Sequence, residues 1–256
     1  ALLVAGDSLA VGAARDGAFS YLAVAGGISG EPVFGSLSVN VRAGLGSPFP
    51  RPLQSGDMLT LADAPPLAHE RRLPPLEPAD GPIRVMLGPQ DDEFGAACDV
   101  FLSGEWRVSA ASDRMGYRLE GPVIAHAHGH DIVSDGTVTG SIQVPGNGQP
   151  IVLMPDRGTT GGYPKIATVI SADLGRLAQM PPGRVFRFHA VTVDEAEQAA
   201  RQMAAQVAAL PGLVRTAGAS FDLAALQDVN AAGVAVSAVD IATWQSPMDP
   251  HRRTAS

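Results

Sequence analysis

The 256-residue sequence has one lysine, Lys165, one cysteine, Cys98, and few aromatic residues, which make up 5% of the chain. A single cysteine excludes an internal disulfide, so nothing argues for export into an oxidising compartment. No apolar run approaches the roughly 20 residues that a membrane-spanning helix needs. Residues 1–20 also lack the basic start and the cleavage site of a signal peptide. We therefore expect a soluble, cytoplasmic protein with no membrane partner, in which Cys98 is a small buried apolar residue.

Positive charge is also scarce. The 18 basic residues are outnumbered by 26 acidic ones, which gives a net charge of −8. Because nucleic acids bind through basic surfaces, this balance argues against nucleic acid as a partner. The pairs Arg71-Arg72 and Arg252-Arg253 are too short to form a basic patch.

Glycine and proline are abundant, with 29 and 21 residues, and the apolar segments between them are short. Both residue types interrupt regular elements, so the composition predicts many turns and short strands. The segments run as strands, short helices, more strands and then a longer helix at residues 194–210, without steady alternation of strand and helix. This order predicts a mainly β, α+β architecture with a few short helices and one longer late helix.

A stretch rich in proline and charge occupies residues 63–82, and we interpret it as a linker or a surface arm. Before it, residues 1–62 contain short runs bounded by Gly, Asp or Ser, such as LLVAGDSLAVG, AFSYLAVAGGI and GDMLTLA. These runs predict the β-strands of an N-terminal lobe. Residues 83–256 are predicted to form a second, larger domain.

The only lysine stands in the segment PDRGTTGGYPKIATVI, at residues 155–170. Lysine differs from arginine because its compact ammonium can exchange a proton when it is buried. Since arginine supplies the other positive charges, we predict that Lys165 is an electrostatic and acid–base centre. The alternative is a lysine that faces water on a tight hairpin.

The residues just before Lys165 suit an anion or a polarised carbonyl. Glycines let the backbone approach a ligand, and hydroxyls and free amides can bind an oxyanion. Asp156 lies upstream and is predicted to be the base that orients the lysine. The predicted cradle consists of Thr159, Thr160, Gly161 and Gly162.

The segment HAHGHD places His126, His128 and His130 at a spacing of two, beside Asp131. On a strand, three imidazoles at this spacing would share one face, as in a metal site. The glycine between them indicates a loop instead, and no distant Cys/His set completes a coordination sphere. We therefore predict no metal.

The motif GDSL, which follows an apolar run near the N-terminus, resembles the nucleophile segment of the GDSL esterases. Ser8 would be the nucleophile, and Asp249 and His251 would supply the late Asp–His pair. That pair is one residue too close, however, and the Gly-x-Asn-Asp block of those enzymes is absent. The residues after Ser8 also leave no room for the helix of a nucleophile elbow. An esterase is therefore the less favoured alternative.

Several segments resemble one known family when they are taken together in order, over about residues 18–200. They are YLAVAGGI, GSLSVNVRAGLG, GPQDDEF, SDRMGYRLEGP, GSIQVPGNGQPIVLMPDRGTTGGYPKIATVISADLGRLAQMPPG and RFHAVTVDEA. They look like the allophanate hydrolase subunit 2 family, which includes KipA, the C subunit of bacterial 5-oxoprolinase and one half of the carboxyltransferase region of urea carboxylase. The usual beginning of that family, a block around Thr-Val-Gln-Asp-Leu-Gly-Arg, has no counterpart here. We therefore expect the lobe at residues 1–62 to be incomplete.

The resemblance implies a cyclophilin-like β-barrel of the carboxyltransferase type in residues 83–256. It also implies a KipI-like allophanate hydrolase subunit 1 as partner, and a LamB-type protein as a third subunit. The implied activity is the ATP-dependent opening of a cyclic amide, 5-oxoproline, in which ATP acts through the complex.

Two alternatives stay open within the resemblance. One is a carboxyltransferase subunit of the urea carboxylase or allophanate type, which would work with biotin. The chain has no biotin-carrier motif, so the oxoprolinase-type role is favoured. The other alternative is a regulatory, KipA-like binding module.

Four further residues are expected to position a small amide substrate. They are Gln143, Gln149, Arg114 and Tyr163. Arg114 has a second interpretation, in which it only pairs with a surface acid close to it in the sequence.

Overall fold

The computed structural model describes residues 3–14, 17–65, 69–76 and 79–216. Within these residues the strands are β1 (Arg71–Arg72), β2 (Ile83–Leu87), β3 (Trp106–Val108), β4 (Gly116–Glu120), β5 (Asp135–Gly136), β6 (Ser141–Gln143), β7 (Ile151–Leu153), β8 (Thr160–Gly161), β9 (Lys165–Val169), β10 (Val185–Phe186), β11 (Phe188–Ala190) and β12 (Arg215–Thr216). The α-helices are α1 (Ala97–Ser103), α2 (Ser171–Ala178) and α3 (Val193–Leu213), and a 3-10 turn spans Asp91–Glu93. No helix among the described residues combines the length and the apolar character that crossing a membrane requires.

The chain divides into two compact units. The larger one takes in the described parts of Val4–Pro66 and Pro75–Leu213. In the smaller one, β1 pairs antiparallel with β12. The predicted domain boundaries, with a linker at residues 63–82, stay a prediction.

Eight strands of the larger unit form one sheet in the order β10-β3-β4-β7-β6-β9-β2-β11. Neighbouring strands are antiparallel, except that β11 runs parallel to β2. The two edge strands, β10 and β11, are separated in sequence by Arg187 alone, so the sheet curls until its edges meet. Phe186 and Phe188, on either side of this residue, lie with their ring centroids 5.1 Å apart. The prediction of a mainly β, barrel-type fold is confirmed.

The interior of the barrel is filled by apolar side chains. Alternate residues of β2, Ile83 and Val85, are fully buried, as expected for strands that turn one face to a core. Trp106 of β3 is also fully buried, and its indole N–H donates to the carbonyl of Phe101 at 2.9 Å. Burial of each such side chain stabilises the fold by roughly 1.5–3 kcal/mol.

The late helix predicted at residues 194–210 is confirmed as α3. Its start is a capping box, because the carboxylate of Glu195 accepts from the backbone N–H of Thr192 at 2.7 Å. The Thr192 hydroxyl in turn accepts from the N–H of Glu195 at 3.3 Å. One face of α3 packs Ala199 against Ile170 and Ala172, at the start of α2.

The strands predicted for residues 1–62 are wrong in the part that the structure describes. That part has three isolated bridges, Ile28↔Leu61, Val33↔Ser36 and Asn40↔Leu45, and no strand. None of the described residues between 3 and 65 is buried. Alternation gives a strand only when a neighbouring strand supplies hydrogen bonds and a surface covers the apolar face. In this part of the chain the hydrogen bonds between segments are limited to isolated bridges, and no surface buries the apolar side chains.

Candidate active site around Lys165

Lys165 is the first residue of β9 and is only 2% exposed. Its Nζ lies 2.8 Å from Oδ2 of Asp135. A buried ammonium is costly unless an opposite charge and hydrogen bonds compensate for the lost water. The alternative of a lysine that faces water is therefore wrong.

The position of Lys165 depends on an irregularity between β6 and β9. Ile142 pairs with Ala167, but the next residue, Gln143, pairs with Lys165, so β9 carries one extra residue at this point. A bulge of this kind re-aims the side chains beside it. It brings Gln143 opposite Lys165.

Asp135 and Gln90 complete the surroundings of the lysine. Oδ2 of Asp135 also accepts from Nε2 of Gln90 at 3.2 Å, and Oε1 of Gln90 accepts from the backbone N–H of Lys165 at 3.1 Å. The pKa of Asp135 lies below its ordinary value because its carboxylate accepts hydrogen bonds from Lys165, from the backbone of Gly136 and from Gln90. A carboxylate held in its charged form is a counter-ion and a weak base.

Gln143 lies under the glycines of the predicted cradle. Its side-chain amide donates to the carbonyl of Tyr163 at 3.2 Å. A Cβ at Gly161 would lie 2.3 Å from Nε2 of Gln143, so only glycine fits without displacing this amide. Gly161 also pairs with Asp135 through β8 and β5. The structure thus brings Gln143, Gly161 and Tyr163 together with the lysine and its counter-ion.

The rest of the predicted cradle supports the loops around the site. The carbonyl of Gly162 accepts from the N–H of Ile132 at 2.8 Å, and that of Thr159 accepts from the N–H of Thr137 at 3.0 Å. The side chains of Thr159 and Thr160 are exposed. They are free to meet a ligand from the solvent side.

Asp156 does not bind Lys165. It is paired with Arg114, whose Nη2 lies 3.1 Å from Oδ1 of Asp156, and its N–H donates to the carbonyl of Arg114 at 2.9 Å. Asp135 lies beside the lysine instead. It is brought there by β5, which pairs with β8, whereas the segment around Asp156 does not.

Gln149 is engaged elsewhere. Its side chain both accepts from the N–H of Gly121 at 3.1 Å and donates to the carbonyl of the same residue at 3.2 Å. Among the predicted substrate-positioning residues, Gln143 and Tyr163 are therefore in the Lys165 group. Arg114 forms a separate pair with Asp156, and Gln149 holds the backbone after β4.

Sequence reasoning missed Asp135 and Gln90. They stand 30 and 75 residues before Lys165 in the sequence. Gln90 belongs to the segment GPQDDEF, which supported the resemblance, but no spacing rule connects it with the lysine. Asp135 stands in a short polar segment that looks like an ordinary turn.

The three histidines bind three different partners. His126 contacts the carbonyl of Val144 at 2.9 Å, and His128 and His130 contact the carboxylates of Glu93 and Asp131 at 3.2 and 3.3 Å. Over the described ranges, no group of three or more possible metal ligands is found.

The GDSL segment forms a local turn. Oδ2 of Asp7 accepts from the N–H of Val4 at 2.8 Å, and no helix follows Ser8 within residues 9–14 or 17–65. The nucleophile elbow that an esterase needs is therefore not formed. Asp249 and His251 lie outside the described residues.

The larger unit is thus a nearly closed eight-stranded barrel in which Lys165 is buried at the start of β9. Residues 1–190 match the family of the carboxyltransferase domain, subdomains A and B. The chain belongs to this carboxyltransferase family.

Two curated relatives carry the name of the C subunit of 5-oxoprolinase. The one from Escherichia coli is 41% identical over 196 residues, which make up 76% of this chain and 63% of the relative. The one from Haemophilus influenzae is 39% identical over 199 residues, or 77% of this chain and 64% of the relative. The match thus spans a little under two thirds of the length of these relatives. The family inferred from the sequence segments is confirmed.

A solved structure has the same fold. The crystal structure of the K. lactis urea amidolyase superimposes with a TM-score of 0.63 at 27% identity. The superposition covers 71% of this chain and 12% of the amidolyase.

Proposed function

We propose that this chain is one component of a complex that opens a cyclic amide with the use of ATP, in the manner of the C subunit of a 5-oxoprolinase. The observation that carries the proposal is the buried Lys165, paired with Asp135 and next to the side-chain amides of Gln90 and Gln143. This group lies within the part of the chain that matches the family.

The chemistry of the proposed site follows from its charges. When water adds to the carbonyl carbon of a lactam, negative charge develops on the carbonyl oxygen, and the C–N bond then breaks as the nitrogen takes up a proton. A cation in a water-poor site stabilises such charge more strongly than it would in water, because little solvent screens it. Lys165 supplies the cation and, as a proton carrier, a proton for the departing amide nitrogen. Arginine lacks the second property.

The other predicted residues take supporting roles in this proposal. Gln143 and Tyr163 form the floor of the site, and Thr159 and Thr160 offer hydroxyl groups from its exposed side. Arg114, which is paired with Asp156 and half exposed, attracts an anionic substrate to the chain.

ATP is assigned no contact with this chain. The Lys165 group does not fit a triphosphate, because its single ammonium, already partly neutralised by Asp135, cannot balance the charge of three phosphate groups. In the proposal, ATP is bound by the other subunits of a cytoplasmic complex, a KipI-like subunit 1 and a LamB-type third subunit.

A carboxyltransferase acting on urea, with biotin as carrier, is the second candidate. The superposition on the K. lactis urea amidolyase favours it. A regulatory, KipA-like module is less favoured, because a binding surface does not need a buried ammonium lined by amides.

The test is a reconstitution of the chain with its two partner subunits. We expect ATP hydrolysis that depends on 5-oxoproline, and a loss of about 100-fold in Lys165→Arg, of the order seen when one oxyanion donor is removed. Arg201→Lys, on the exposed face of α3, serves as the control and should keep full activity. Turnover that Lys165→Arg leaves unchanged would refute the role of the lysine. Carboxylation of urea by a biotin-loaded complex, without oxoprolinase activity, would favour the second candidate.

A further inference from the structure

The only ion pair of Lys165 in the described structure is with Asp135, a residue that faces the solvent. The lysine is 2% exposed, whereas the side chain of Asp135 is 52% exposed. The carboxylate of Asp135 therefore stands between the ammonium and the solvent. A ligand that reaches Nζ from outside must pass or replace this carboxylate.

Only a negatively charged group can replace it at an acceptable cost. A buried ammonium that loses its partner keeps the desolvation penalty and loses the compensating attraction. A neutral amide or a water molecule returns only a small part of that attraction. A free carboxylate offers the same two oxygens and the same charge as Asp135.

The segment that carries Asp135 is weakly held between two anchored points. On one side the N–H of Ile132 donates to the carbonyl of Gly162, and on the other the hydroxyl of Thr137 donates to the carbonyl of Gly158 at 2.7 Å. Between these anchors, residues 133–136 are all exposed. Their only strand pairing is that of the two residues of β5 with β8. Besides this pairing, outward movement of this flap breaks the bonds of Asp135 to Lys165 and Gln90, and the ligand restores the first of these.

The geometry points to Asp135 as a displaceable internal counter-ion, whose place at Nζ of Lys165 is taken by a small carboxylate ligand. Displacement moves the flap at residues 133–136 outward, while the lysine stays paired throughout. The inference rests on the proposed function only in treating the ligand as the substrate, whose carboxylate displaces Asp135 and whose lactam carbonyl then meets the same ammonium beside it. The exchange itself is a property of this chain and is tested on the full chain alone.

The first experiment uses Asp135→Asn, which keeps the size of the side chain and removes its charge. Formate is the probe, and formamide, which has nearly the same shape without charge, is the matched control. We expect Asp135→Asn to unfold at a lower temperature than the wild type, because its lysine is unpaired. Formate should raise this temperature again, whereas formamide, and sodium chloride at the same ionic strength, should not.

The affinity comparison tests the competition directly. Asp135 competes with added formate in the wild type, so Asp135→Asn should bind formate about tenfold more tightly or better, a difference typical of removing one competing charge. The double variant Asp135→Asn/Lys165→Met should show no formate effect. Equal affinity in the wild type and in Asp135→Asn, or a formate effect that survives in the double variant, overturns the inference.

A measurement on the wild type does not depend on any variant folding. The amide of Gly136 donates to Oδ1 of Asp135 at 2.7 Å, so its NMR signal reports on the position of that carboxylate. Saturating formate should shift the signals of Gly136 and Gly161, and formamide should not. If saturating formate does not shift these two signals, the inference is overturned. If formate shifts them but the reconstituted complex does not hydrolyse ATP in response to 5-oxoproline, only the proposed function is contradicted.

Discussion

Asp173 accepts three hydrogen bonds from Arg84: from Nη2 at 2.7 Å, from Nε at 3.0 Å and from the backbone N–H at 2.8 Å. Asp173 is completely buried, and Arg176 lies within 3.3 Å of the same carboxylate. The pair connects α2 with β2, the strand next to β9. It therefore supports the part of the barrel on which Lys165 is placed.

Removing the charge of Asp173 should destabilise the protein strongly. Asp173→Asn leaves the guanidinium of Arg84 without its partner, and breaking a buried pair in this way costs about 3 kcal/mol. Glu197→Gln is the control, because it breaks an exposed i,i+4 pair with Arg201 that contributes less than about 0.5 kcal/mol. Urea unfolding measures both. Similar losses in the two variants would contradict the structural role of the Arg84–Asp173 pair.

Stability should decrease in acid through the same carboxyl group. Burial would by itself raise the pKa of Asp173, but the hydrogen bonds from the side chain and backbone of Arg84 and the charges of Arg84 and Arg176 outweigh it, so the pKa lies below its ordinary value of 3.8. A carboxyl with a lowered pKa in the folded state contributes stability that is complete above its unfolded pKa. That contribution is lost as the pH falls through the folded pKa.

We therefore expect the free energy of unfolding to fall as the pH is lowered from about 4. Asp173→Asn should show a shallower decrease over the same range, because it has no carboxyl to protonate there. Urea titrations of both proteins at several acid pH values measure this. Identical slopes would show that Asp173 does not carry the dependence.

A methyl group at position 161 should fit only if the side chain of Gln143 moves. Gly161→Ala pushes the Gln143 amide away from the carbonyl of Tyr163, which should cost about 1 kcal/mol for the lost hydrogen bond. Gly162→Ala is the matched control, because its nearest neighbour, the carbonyl oxygen of Ile132, is 3.7 Å from the added carbon.

A double-mutant cycle isolates the contact between these two residues. In a Gln143→Ala background, Gly161→Ala should lose most of its effect on urea unfolding, since the amide that it displaces is gone. An unchanged effect in that background would mean that the added methyl meets something other than Gln143.

Arg114 should matter for substrate binding more than for stability. Its side chain is 51% exposed, and its pair with Asp156 is of the surface type that contributes at most about 1 kcal/mol. If it attracts an anionic substrate, Arg114→Ala should raise KM of the reconstituted complex and leave kcat nearly unchanged. Arg118→Ala, an exposed arginine of the neighbouring β4, is the control. An equal KM in both variants would refute this role.

Part of this structure could be predicted from the sequence because the signals are local. The alternating segment IRVML and the helix-forming segment at residues 194–210 carry their own pattern, and both elements are present. The solitary Lys165 is also a local signal, since the residue type itself is unusual in this chain.

What could not be predicted depends on contacts between distant segments. The choice of Asp135 over Asp156 as the partner of Lys165 follows from which strands pair, and alternating hydrophobicity does not specify the partner of a two-residue strand. The described part of LLVAGDSLAVG and the segment GDMLTLA have the pattern of strands, but neither forms a strand there, and Leu61 of GDMLTLA makes only an isolated bridge with Ile28. Local pattern is therefore necessary for a strand and not sufficient.

The single residue between β10 and β11 has a consequence for biosynthesis. A nascent chain cannot close the sheet until the ribosome has added Ala190, because both edges are completed by strands from the same short stretch. Until then, β3 and β2 each present an unpaired edge that can pair with other polypeptides. The folding chain is therefore open to pairing with other copies of itself until its last two barrel strands have formed.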